Sequence, residues 1–160
     1  MKKLLAILMI VLLMLSLTGC FGMGTSTGST SDEPTAEPTE PLGQEAYEQS
    51  FKGLQQYLID RQYFTKSGKT EVYSDIIGAA DGARYSLSAT AFIELYDFTD
   101  ASGDTAKATL ADIKDDGKFY AIEGYDELTG VISESGKYVA VYNAKNQYDY
   151  AKITDELANW

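Results

Sequence analysis

Ala91-Phe92-Ile93-Glu94-Leu95-Tyr96-Asp97-Phe98 is the stretch that decides the fold. Side chains alternate along an extended chain, so Ile93 and Leu95 fall on one side and Phe92, Glu94 and Tyr96 on the other. Just upstream, Ala83 to Ser88 carries Tyr85 and Leu87 at the same period. The link between the two runs, Ser88-Ala89-Thr90, is short. A link that short cannot cross over a sheet, so the runs are expected to pair as an antiparallel hairpin.

Working outward, Glu127 to Ser133 and Lys137 to Tyr142 form a second expected hairpin around Glu134-Ser135-Gly136, and Phe119 to Ile122 is a short strand candidate. Three stretches have helical periodicity. Glu45 to Arg61 places Tyr47, Phe51, Leu54 and Leu58 on one stripe, with Gly53 a local weakness of about 1 kcal/mol against Ala. Asp104 to Asp116 places Ala106, Leu110 and Ile113 on one side, with Asp104 suited to cap its start and Gly117 its end. Asp149 to Leu157 aligns Tyr150, Ile153 and Leu157. Ser67-Gly68-Lys69 reads as a turn. Glu71 to Ala80 fits a short helix through Val72, Ile76 and Ala80, although Val72-Tyr73 would also suit a strand.

Hairpins with helices between them argue an α+β fold. The expectation is a single antiparallel sheet of about four to five strands, with the N-terminal, middle and C-terminal helices packed on one face. Phe92 to Tyr96 also echoes Tyr138-Val139-Ala140-Val141-Tyr142, and a helix follows each. The echo fits an internal ββα duplication and equally a chance likeness between two strands.

Composition narrows the chemistry. The 160 residues hold 13 Lys and Arg against 24 Asp and Glu, for a net charge of −11. That sign disfavours nucleic acid and gives no pull toward anionic lipid. Histidine is absent. Ser-His-Asp and Cys-His nucleophilic arrangements and His-ligated metals are therefore excluded. One cysteine permits no intramolecular disulfide, so a folded domain must stand on its packed core.

That cysteine ends a distinctive leader. Met1-Lys2-Lys3 is positively charged, and Leu4 to Leu17 is almost wholly apolar. Fourteen helical residues span about 21 Å, short of a hydrocarbon core of about 30 Å, so the run reads as an export signal. It closes on Leu17-Thr18-Gly19-Cys20, which resembles the lipobox of bacterial lipoproteins. The resemblance implies cleavage between Gly19 and Cys20 and a diacylglyceryl thioether on Cys20. It further implies a protein anchored by lipid on the extracytoplasmic face of a cell membrane. Residues 1–19 would then be a signal peptide. Residues 20–43 would be a lipidated tether whose Gly, Ser, Thr, Pro and acidic residues favour disorder. A single α+β domain would fill 44–160. The coarse order of its elements is similar to that of small, uncharacterised lipoprotein domains of Gram-positive bacteria.

No stretch after Cys20 carries a catalytic motif. Asp97, Asp100 and Asp104, with Asp112, Asp115 and Asp116, suggest a calcium loop, but Thr105 and Ala111 stand where such a loop needs Gly and a bidentate Glu. Glu123 and Asp126 could form a carboxylate pair for glycoside hydrolysis, with nothing to fix their separation. Tyrosine is plentiful, at twelve residues. If helices cover Ile93, Leu95, Val139 and Val141, then Phe92, Glu94, Tyr96, Tyr138 and Tyr142 share an open face. Phe92, Tyr96, Tyr138 and Tyr142 are then the candidate binding surface for a glycan or peptide. The sequence favours a non-enzymatic interaction or accessory domain, without cofactor or metal and with a protein or cell-wall glycan as partner. The alternative is a receptor component for a small ligand or glycan.

Overall fold

The computed structural model describes residues 41–119 and 127–160. Its centre is the strand read from Phe92 to Tyr96. Among the described residues the strands are β1 (Lys69–Glu71), β2 (Asp81–Ser86), β3 (Phe92–Asp97), β4 (Lys118–Phe119), β5 (Leu128–Ile132) and β6 (Tyr138–Tyr142). They form one antiparallel sheet in the order β1-β2-β3-β6-β5-β4. The helices are α1 (Phe51–Asp60), α2 (Asp104–Asp116) and α3 (Ala151–Ala158). The fold is therefore α+β, with six strands where four to five were expected. The extra strand is β1, which is exposed at all three residues. It carries no apolar alternation, so nothing in its sequence marks it as a strand.

Both hairpins form as read. In the first, Ala91 donates its backbone N–H to Ser88 Oγ, and Leu87 donates to the Ala91 carbonyl. In the second, Gly136 takes a positive φ of 72°, which a residue with Cβ adopts reluctantly.

The arrangement of helices differs from expectation. Residues directly paired in an antiparallel sheet point to the same face. Leu95 pairs with Ala140 and Ala83 with Leu95, and these pack with Leu54 and Leu58 of α1 and Ile153 and Leu157 of α3. Tyr96 pairs with Val139, and this opposite face packs with Ala106 and Ile113 of α2. The sheet is thus covered on both sides rather than one. Each face needs its own cover because β3 and β6 are apolar or aromatic at most positions of both phases. Each fully buried Leu or Ile contributes about 1.5–3 kcal/mol.

This placement also bears on the duplication. The strand order is symmetric about the β3–β6 contact. A two-fold operation exchanging antiparallel neighbours runs along the sheet normal and preserves faces. It would put α2 and α3 on the same face, whereas they lie on opposite ones. The echo is out of phase as well: Phe92 and Tyr96 point to the α2 side, Tyr138 and Tyr142 to the α1/α3 side. The likeness between the two strands is not a structural repeat.

Local corrections have local causes. α1 begins at Phe51, because Ser50 caps it by accepting from the Gly53 N–H at 3.1 Å, and Gln44–Ala46 is a separate 3-10 turn. Gly53 is a requirement rather than a weakness: a Cβ there would stand 1.8 Å from the Glu48 carbonyl oxygen. Within 71–80, a 3-10 turn over Ser74–Ile77 replaces the expected helix and ends at Gly78 with φ of 77°. Gly103, not Asp104, occupies the N-cap position of α2, while Gly117 closes that helix as expected and donates to the Ile113 carbonyl at 3.0 Å. The strand candidate Phe119 to Ile122 is seen as β4 through Phe119; the rest of it lies outside the described residues.

Candidate functional site

The expected aromatic surface is divided and largely buried. Tyr96 and Tyr138 each retain only 4% exposure. Tyr96 stacks on Phe119 on the α2 side, and Tyr138 stacks on Phe51 of α1. Tyr142 stacks on Tyr150 at 4.3 Å, with Tyr148 tilted against that ring at 5.0 Å. Phe92 and Tyr142 are half-buried, on opposite faces; Phe92 lies on the α2 side with the Arg84 guanidinium 4.4 Å above its ring. The four residues therefore form no common binding face, because Val139 and Val141 lie opposite to Ile93 and Leu95 rather than beside them. Gly19 and Cys20 lie outside the described residues, as do Glu123 and Asp126.

In place of that surface, two partly or deeply buried carboxylates among the described residues, Glu94 and Glu156, each gather several donors. The first lies between β2 and β3. Arg84 and Glu94 are directly paired across the strands. Arg84 donates through Nε at 2.7 Å and through Nη2 to one Glu94 oxygen. The Tyr96 hydroxyl donates to the other at 2.7 Å. The Glu94 side chain is 5% exposed, the Arg84 side chain 47%. Burial first, and then the adjacent Glu94 charge, push the Tyr96 phenol far up, so it stays a donor.

The second cluster joins α1 to α3 around Glu156. Its carboxylate accepts from Arg61 Nη2 at 2.7 Å, from the Tyr63 hydroxyl at 3.2 Å and from the Tyr57 hydroxyl. Gln44 Nε2 donates to the Glu156 backbone carbonyl at 2.9 Å and reaches its carboxylate at 3.3 Å. Partial burial works to raise the Glu156 carboxyl, but bonds from Tyr57, Arg61 and Tyr63 outweigh it and hold the group below its ordinary range. Burial and the bond to Glu156 push the Tyr57 phenol up to about 12. Trp160 packs against Tyr57 at 5.4 Å, its indole N–H buried without a hydrogen-bond partner. A smaller node sits nearby: buried Gln55 accepts from Tyr85 at 2.7 Å and from Lys69 at 2.9 Å.

Sequence reasoning placed Glu94 among the aromatics but did not find Arg84 as its partner, although Arg84 lies in the paired hairpin. It missed the Glu156 cluster, whose partners are some 93 to 112 positions away in the chain. In both clusters the carboxylate oxygens are already occupied by donors. That arrangement suits holding elements in place better than moving protons. Among the described residues no three acidic side chains converge to hold a metal ion. No helix among them is long and apolar enough to cross a membrane. No protein family, curated protein or solved structure matches the chain.

With the aromatics folded inward, few large apolar side chains among the described residues stay exposed. Tyr73 is 82% exposed, Leu42 59% and Ile76 49%. Tyr73 and Ile76 both flank the exposed edge strand β1.

Proposed function

We propose that this chain is a lipid-anchored extracytoplasmic lipoprotein whose 44–160 domain is a non-enzymatic interaction or accessory module at the cell surface. The observation that carries the reading is Leu17-Thr18-Gly19-Cys20, placed directly after a charged start and a fourteen-residue apolar run. A single acyl chain holds a protein only marginally, whereas the two of a diacylglyceryl group make attachment stable. Pro34, Pro38 and Pro41 lie in a stretch rich in Gly, Ser, Thr and acids, whose composition suits a spacer of about 25 Å. The partner is a protein or a cell-wall glycan, and the acidic charge argues against nucleic acid.

Intact mass and membrane fractionation test the anchor. Wild-type chain is expected in the membrane fraction, cut before Cys20 and heavier by a diacylglyceryl group. Cys20→Ser is expected to lose that mass and to be released or left unprocessed. A Cys20→Ser chain that keeps a lipid-dependent mass and stays membrane-bound refutes the reading.

A further inference from the structure

We infer that the β1 edge is a self-association surface, on which a second copy of this chain adds its own β1 about a two-fold axis through Thr70. Among the described residues β1 is the outermost strand of the sheet, paired on one side only, with β2. Its outward backbone groups are donors and acceptors able to receive another strand. An edge carrying one sign of charge would repel its own copy. This edge reads Lys69-Thr70-Glu71, all exposed.

Antiparallel pairing centred on Thr70 sets Thr70 opposite Thr70 of the second copy. Lys69 then stands opposite Glu71, and Glu71 opposite Lys69. The operation preserves sheet faces, and Lys69 and Glu71 share one face, pairing with Tyr85 and Ala83. Each opposite-charge pair is therefore on the same side of the joined sheet, in contact range. The strand is self-complementary, as an isologous interface requires. Depending on which backbone groups face outward, about two to four hydrogen bonds close the pair.

The flanks agree. Beyond the strand the same register brings Val72 toward Gly68, which closes the 3-10 turn Lys66–Gly68 and has no side chain to obstruct it, and brings exposed Tyr73 toward that turn of the second copy. This covers part of Tyr73, the most exposed aromatic among the described residues. Lys69 also donates to Gln55, and its ammonium keeps further donors for Glu71 of the second copy. The paired edge is short, so association is expected to be reversible and concentration-dependent. The inference does not depend on the lipid anchor.

Crosslinking of the full chain in detergent tests it. In a Cys20→Ser background, Thr70→Cys puts the sole thiol on the proposed axis. Directly opposed residues lie about 4.5–5.5 Å apart at Cα, within reach of a disulfide. A Thr70→Cys disulfide dimer is expected, and little from Ser102→Cys in an exposed loop. Lys69→Glu and Glu71→Lys should each lower dimer yield about tenfold, since each sets like charges opposite one another. The double swap, which restores complementarity, should recover it, as should a mixture of the two single variants. Equal crosslinking at residues 70 and 102, or a yield indifferent to charge reversal, overturns the inference. So does a chain that remains monomeric at every concentration while Tyr73 is protected by another component of the cell surface.

Discussion

The two carboxylate clusters use the same chemistry at very different distances along the chain. Glu94 meets Arg84 and Tyr96 within ten residues, between strands already joined by a full backbone ladder. Glu156 meets Arg61, Tyr57 and Tyr63 from more than ninety residues away. The first is more deeply buried, and so more costly to break. The second does what no backbone ladder does, tying the first helix to the last. Burial should therefore set the energy of each cluster, and sequence separation should set how far the damage spreads.

The largest expected effect is Arg84→Ala. It removes the guanidinium from a Glu94 carboxylate that is only 5% exposed in the wild type and leaves Tyr96 as its one side-chain donor, at a cost of about 3 kcal/mol in chemical denaturation. A cost below that of the Glu156 variants would reverse the ranking by burial. Next is Glu156→Ala, expected to cost about 2 kcal/mol. Hydrogen exchange should rise in both α1 and α3, while Arg84→Ala should raise it chiefly in β2 and β3. Exchange confined to α3 would show that the two helices are not coupled through this carboxylate.

Acid titration sharpens the contrast. The Glu156 carboxyl lies lower in the folded chain than its ordinary value, so its contribution is present above the unfolded pKa. That contribution is lost as pH falls through the folded pKa. Wild-type stability should drop below about pH 4.5, and Glu156→Gln should flatten that part of the curve. An unchanged acid limb in Glu156→Gln would assign the drop to other carboxylates. The smallest effect is Tyr63→Phe, which removes one of several donors to Glu156 and should cost about 1 kcal/mol by thermal denaturation.

Particular residues show what could be read in advance. Ile93 and Leu95 marked β3, and three linking residues marked its hairpin with β2. Stripes through Leu54, Ile113 and Ile153 marked the three helices. These signals are local, arising from side-chain period and turn length. β1 escaped because Lys69-Thr70-Glu71 has no apolar face, so only its pairing with β2 makes it a strand. The aromatic surface failed for a different reason. Alternation shows which residues share a side within each strand, but whether Ile93 and Val139 share a face depends on the register between the strands. A shift of one residue moves every side chain to the other side.

By itself, the sequence determined the α+β class, both hairpins, the stretches holding the three helices and the absence of any histidine chemistry, because each depends on residue types and spacings within a few turns of chain. The tertiary structure alone decided which sheet face each aromatic occupies and that helices cover both faces. It also decided that Glu156 gathers donors from the other end of the domain. Those outcomes depend on the β3–β6 register and on contacts across a hundred residues, and neither leaves a local trace in the chain.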